Sequence, residues 1–121
     1  ALDGAVTADI APKIQAKIIL ELANGPVTAE ADTILASRGI DVIPDVLANA
    51  GGVTVSFFEW EQNMQGTAMT RKEVNHRLKD VMVLAWNGIS RFAKEHNVSY
   101  RKAAFALAAR RILDAKGDGS R

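Results

Sequence analysis

A chain of 121 residues, 48% apolar and 24% charged, has ordinary globular composition and the length of one domain or part of a larger one. Its formal net charge of +1 removes the electrostatic case for nucleic acid or an acidic membrane surface as a partner. With no cysteine there is no disulfide framework, thiol nucleophile or zinc knuckle, which fits a cytoplasmic protein.

No apolar stretch approaches the ~20 residues that a bilayer span needs. The opening "ALDGAVTADIAPK" lacks a signal pattern and an initiator methionine, and is expected to be the start of a piece cut from something longer. "AKIILELA" (16–23) is a short, branched, nearly continuous apolar run, as expected of a strand buried on both faces. "NGPV" then breaks it with turn chemistry. Thr28 can cap a helix whose first turns carry Glu30 and Asp32, where the helix dipole favours acids. Ala31, Ile34 and Leu35 form its inner face, and Gly39 marks its end. "DVIP" (41–44) is a second short strand, and a strand–helix–strand crossover joins parallel strands.

The remainder reads as helix. One helix spans about 49 to 65 and ends at Gly66; Thr70 and Glu73 form a capping box for the next. Val74, Leu78, Val81, Met82, Ala85, Ile89, Phe92 and Ala93 keep helical spacing up to an exit at Asn97. Ser99 can cap a last helix through Ala103, Ala104, Leu107, Ala108 and Ile112, and the tail "KGDGSR" is expected to fray. No repeat, low-complexity tract or interdomain linker interrupts this order. The class is α/β but mostly helical, a strand–helix–strand unit followed by three helices. Two strands make a poor sheet, so the chain looks like the back half of a larger doubly wound domain.

Open α/β sheets bind ligands at the carboxyl ends of their strands. Asn24 follows the first strand and Asn49 lies just past the second, so both should face one crevice. At about 100° per residue, Asn49, Val53 and Ser56 fall on one helical stripe roughly 60° wide. Its upper end offers free amides suited to polar or anionic groups, and Ser56 can read the far end of a small polar molecule lying along it.

Plainer readings compete. Asparagine in a turn often replaces a backbone partner, and serine in a helix often bonds back to its own turn. Gly51 and Gly52 can simply permit close helix packing. His76 and His96 lack partners at metal-ligand spacing and should face solvent, so no metal site is expected. Glu59 and Glu61 point to different sides of a helix, and Arg110 and Arg111 read as surface charge. Phe57, Phe58 and Trp60 read as core. No glycine-rich dinucleotide loop, Walker loop or nucleophile–base pair is present, so no catalytic residue is assigned within the chain.

At these residues the sequence resembles glutamate dehydrogenase. "ELANGPVTAEAD" is similar to the family's strand and turn, and "PDVLANAGGVTVSFFEWEQN" to its most distinctive late segment. "EVNHRLKDVM" and "YRKAAFALAARRI" are similar to its closing helices, so the likeness runs from about residue 1 to 115. The resemblance implies a partial Rossmann-like domain. Residues 1–121 would be the carboxy-terminal portion of a dinucleotide-binding domain, with terminal helices from about 70.

It also implies reversible oxidative deamination of L-glutamate to 2-oxoglutarate and ammonia with NAD or NADP, in a cytoplasmic, two-domain homohexamer. By similarity, Asn24, Asn49 and the adjoining Ala23 contact the nicotinamide nucleotide. Val53 and Ser56 contact the substrate side chain, with Ser56 on its γ-carboxylate. The family's catalytic lysine and aspartate, and its glycine-rich nucleotide loop, belong to upstream segments, so this piece by itself is expected to be inactive.

Val27 and Ala29 replace the family's usual Thr and Pro, and Phe57 a common Tyr. The stretch from Asn63 to Thr70 is too short for the antenna of animal enzymes, which implies a bacterial or archaeal-type parent. Two other readings stand beside this one. The long helices suit a stand-alone, non-catalytic oligomerisation module. A dehydrogenase of an apolar amino acid shares the asparagine–glycine turn but lacks a serine ahead of "FFEW".

Overall fold

In the computed structural model, which describes residues 3–118, two short parallel strands carry a helical layer. Strand β1 (Ile18–Leu20) leads through the Asn24–Gly25 turn into helix α1 (Ala29–Ser37), and β2 (Asp41–Ile43) returns beside β1 with Ile19 opposite Val42. Thr28 caps α1 by accepting the Ala31 N–H at 3.2 Å. Ala31 and Leu35 point inward and are fully buried with Ala11, and Ile40 closes this first cluster. Gly39, at φ 70°, supplies the left-handed turn between α1 and β2 that a side chain would strain. The segment at Val6 runs alongside Val27 as a single parallel bridge.

β1 departs from expectation in length and burial. Ile19 faces the first cluster, but Ile18 and Leu20 are more than half exposed, and so is Leu22 beyond the strand. The register puts Leu20 beside Ile43. Ile43 is covered by the long helices, whose layer stops before reaching β1. A strand buried on both faces needs neighbours that two strands do not have.

A second correction concerns the helix expected from about 49. The chain first makes a short helix, α2 (Asp45–Ala48), and re-aims at Asn49 and Ala50 before α3 (Gly51–Gln65) begins. Asn49 is therefore the cap of α2 rather than part of α3. α3 ends at Gly66 with φ 63°.

Helix α4 (Arg71–His96) starts on the anticipated capping box. The Thr70 N–H donates to Glu73 Oε2 at 2.7 Å, and the Glu73 N–H donates to Thr70 Oγ1 at 3.3 Å. Hydrogen bonds from the Thr70 hydroxyl and amide hold the Glu73 carboxyl below its ordinary value. Asn97, at φ 51°, ends α4 in the left-handed region, and Ser99 leads into α5 (Tyr100–Asp118). The second cluster lies between these helices, where Ala93, Ala103 and Ala104 pack with Ile89 and Leu47. Small side chains let the two backbones approach closely. α5 continues through Asp118, past the expected fraying at Lys116; the rest of that tail, 119–121, lies outside the described residues.

Of the three aromatics expected in the core, only Phe58 is buried. It carries the Arg77 guanidinium 4.1 Å from its ring centroid. Phe57 and Trp60 lie on the side of α3 turned away from α4, exposed and packed on each other with centroids 5.6 Å apart.

Candidate functional site

The two strands end side by side, and this brings Asn24 and Asn49 together. Asn49 Nδ2 donates to Asn24 Oδ1 at 2.8 Å, across 25 residues of chain. The Asn24 amide nitrogen and the Asn49 side-chain oxygen keep no partner among the described residues. One donor and one acceptor thus stand next to each other, with Ala23 half-buried beside them.

Asp45 fixes the turn from below. Its Oδ2 accepts the Gly25 N–H at 2.8 Å, and its backbone carbonyl accepts the Asn49 N–H at 3.0 Å. Its own N–H donates to Glu21 Oε2 at 2.9 Å. Glu21 is 1% exposed, a carboxylate inside an apolar segment, and must be compensated. Arg101 of α5 does so with both arms of its fork, at 3.0 Å to Oε2 and 2.6 Å to Oε1. Its Nε also lies 3.3 Å from Asp32 Oδ2 on α1. The hydrogen bond to Glu21 is the main cause that raises the Arg101 pKa.

Sequence reasoning missed Glu21, Asp45 and Arg101. The signal was there: an acid inside "IILEL" demands a buried cation.

The stripe expected from Asn49 through Val53 to Ser56 is broken, because Asn49 caps α2 and only Val53 and Ser56 lie on α3. Val53 is 76% exposed and Ser56 is exposed beyond it. The Ser56 hydroxyl has no partner among the described residues, so it does not bond back to its own helix. Thr54 does, donating to the Ala50 carbonyl at 2.9 Å. Packing does not explain the glycines either. A Cβ on Gly51 would make ordinary contact with Leu78 at 3.9 Å, and one on Gly52 would meet nothing within 4 Å. The start of α3 has no side-chain cap, which leaves its first-turn amides without a capping side chain.

The residues set aside in the sequence stay outside this site. His76 pairs with Asp80 and His96 stacks on Phe92, both exposed. Glu61 holds Arg77 at 2.6 Å, and Arg110 lies 3.9 Å from Asp114. No group of three metal-ligating side chains occurs among the described residues, and no described helix is long and apolar enough to cross a membrane.

The family model for Glutamate/Leucine/Phenylalanine/Valine dehydrogenase matches residues 1–119. The chain belongs to that dehydrogenase family.

Within the family, it is 49% identical over 120 residues to the NADP-specific glutamate dehydrogenase of Synechocystis, covering 97% of this chain and 28% of that protein. It is 44% identical over 115 residues to the NAD-specific glutamate dehydrogenase of Clostridioides difficile, covering 95% of this chain and 27% of that one. The crystal structure of the Peptoniphilus asaccharolyticus glutamate dehydrogenase superposes with a TM-score of 0.95 at 40% identity, over 99% of this chain and 30% of that chain. The chain therefore spans less than a third of these dehydrogenases. Its parallel strands and helical layer are part of the Rossmann-like dehydrogenase fold.

The residues present suit one end of a nicotinamide nucleotide. A carboxamide carries one acceptor and two donors, and the unpartnered Asn24 nitrogen and Asn49 oxygen offer the complementary pair. The bare glycine surface and open amides at the head of α3 admit close approach by a ligand.

Proposed function

We propose that residues 1–121 are the carboxy-terminal portion of the dinucleotide-binding domain of a glutamate dehydrogenase, with closing helices from about 70. The full-length enzyme oxidises L-glutamate to 2-oxoglutarate and ammonia, reversibly, with NAD or NADP. It does so as a cytoplasmic homohexamer with no nucleic-acid or membrane partner. The bound nucleotide supplies the hydride acceptor.

This chain's part is to bind and orient. Asn24 and Asn49 hold the nicotinamide end, with Ala23 packing beside it. Val53 lies against the methylenes of glutamate, and Ser56 donates its hydroxyl to the γ-carboxylate. Proton transfer belongs to residues upstream, so the chain alone turns over nothing.

The observation that carries this reading is the 2.8 Å Asn24–Asn49 bond just ahead of α3, on which Val53 and Ser56 stand exposed and the Ser56 hydroxyl has no partner among the described residues. A polar head, an apolar middle and a hydroxyl foot match the order of groups from nicotinamide to γ-carboxylate.

The test uses the full-length protein. Glutamate-dependent reduction of NAD or NADP is followed in wild type, Asn24→Ala and Asn49→Ala, with nucleotide affinity measured calorimetrically. A hydrogen bond contributes about 0.5–1.5 kcal/mol, so each variant should bind nucleotide roughly two- to tenfold more weakly. Wild type that oxidises valine or leucine but not glutamate would replace this reading with the apolar-substrate one. Unaltered nucleotide affinity in both variants would remove the asparagines from the cofactor site.

A further inference from the structure

Arg101 lies on the closing helix α5, 80 residues from Glu21 in sequence, yet its fork is spent on the carboxylate at the end of β1. The route from there to the asparagine pair is unbroken. Glu21 Oε2 takes the Asp45 N–H at 2.9 Å, and Asp45 Oδ2 takes the Gly25 N–H at 2.8 Å, next to Asn24. The Asp45 carbonyl takes the Asn49 N–H at 3.0 Å. Arg101 Nη1 also lies 3.7 Å from Asp45 Oδ1, so one guanidinium steadies both acids.

We infer that Arg101 is a positioning residue for nucleotide binding. Through Glu21 and Asp45 it sets the separation of Asn24 and Asn49, which makes the closing helices part of the cofactor site they do not touch. This rests on the assignment of the two asparagines to the nicotinamide nucleotide.

Geometry favours this over a purely structural brace. A brace between α5 and β1 needs only the Glu21–Arg101 pair. The Glu21–Arg101 fork is complete without the Asp45 carboxylate, whose Oδ1 lies only at 3.7 Å from Arg101 Nη1, yet its Oδ2 accepts the Gly25 N–H of the Asn24 turn at 2.8 Å. Gly25 itself sits at φ 55°, in a conformation that the turn must be held in.

The experiment compares full-length wild type, Arg101→Lys, Arg101→Met, Asp45→Ala and Asn24→Ala. Nucleotide dissociation constants, KM for glutamate at saturating nucleotide, and melting temperature are measured for each. Asp45→Ala leaves the buried Glu21–Arg101 pair whole, so it reports on the relay even if Arg101→Met fails to fold.

Asp45→Ala is expected to weaken nucleotide binding about five- to thirtyfold, with KM for glutamate within about twofold of wild type. Arg101→Lys, which keeps the charge but not the fork, should fall between Arg101→Met and wild type in nucleotide affinity. If Asn24→Ala weakens nucleotide binding while Asp45→Ala and Arg101→Lys change only the melting temperature, the relay is wrong and Arg101 is a brace. If Asn24→Ala itself leaves nucleotide affinity unchanged, the cofactor assignment and the relay fall together.

Discussion

Thr54 and Ser56 sit two residues apart on α3 and use their hydroxyls oppositely. Thr54 donates to the Ala50 carbonyl at 2.9 Å, whereas Ser56 stands exposed with no partner among the described residues. Thr54 is a helix hydroxyl satisfied by its own turn. Ser56, one turn below Val53 on the open stripe, is available to a ligand.

A hydroxyl bonded to a carboxylate contributes about 1.5–3 kcal/mol. Ser56→Ala in the full-length protein should therefore lower kcat/KM for glutamate by roughly ten- to a hundred-and-fifty-fold. Nucleotide affinity and melting temperature should hold, because the side chain touches neither the asparagines nor the core. Ser56→Val should shift preference toward norvaline, whose side chain ends in a methyl group. Steady-state kinetics on glutamate and norvaline decide it: an unmoved ratio between the two substrates ends the role given to Ser56.

The α4–α5 contact depends on small side chains. Ala103 is fully buried between the helices, and a larger residue there must push them apart. Ala103→Leu should cost about 1–3 kcal/mol of stability, visible as a lower urea midpoint at constant slope. Because α5 carries Arg101, the same variant should also weaken nucleotide binding in the full-length protein.

The parts of this fold that local sequence chemistry dictates were legible. The Thr70 capping box, the Thr28 cap, and the exits at Gly66 and Asn97 all rest on residues within four positions of each other. The meeting of Asn24 with Asn49 followed from parallel topology alone. What sequence reading could not reach depends on distant partners. Glu21 passed as part of an apolar run because its cation lies 80 residues away. The break at Asn49 was likewise hidden, because the Asp45 N–H is held by that same Glu21. Helical periodicity from about 49 to 65 reports α3 but neither α2 nor the change of direction at Asn49.

Glu73 gives a pH signature. Its carboxyl is held below the ordinary value of 4.5 by the Thr70 hydroxyl, so the ionised form is favoured in the folded chain. A depressed folded pKa contributes stability that is present above the unfolded value and is lost as pH falls through the folded one. Glu73→Gln should therefore melt below wild type at pH 7, and the gap should narrow as pH falls below 4.5 and close once Glu73 is protonated in the folded chain. A gap that is constant over that window would show that the Glu73 charge takes no part in the cap.

The last prediction concerns the open face of β1. Ile18 and Leu20 are 60% and 56% exposed, Leu22 is 69% exposed beyond them, and among the described residues the strand has one hydrogen-bonded neighbour. Its free edge offers unpaired N–H and C=O groups beside an apolar surface, the combination that recruits another chain. The 121-residue chain expressed alone should therefore self-associate at micromolar concentration. Replacing Ile18 and Leu20 with Lys removes the apolar cover and sets like charges on the same side of the strand. That double variant should sediment as a monomer while keeping the helical circular dichroism of wild type, because neither side chain belongs to the two buried clusters. Full-length protein already supplies neighbours for this face if the strand lies inside a larger sheet. There the same substitutions should lower yield and melting temperature instead. Sedimentation velocity of the wild-type chain is the measurement, and a single monomer boundary across the concentration series would show that the exposed strand is no docking edge.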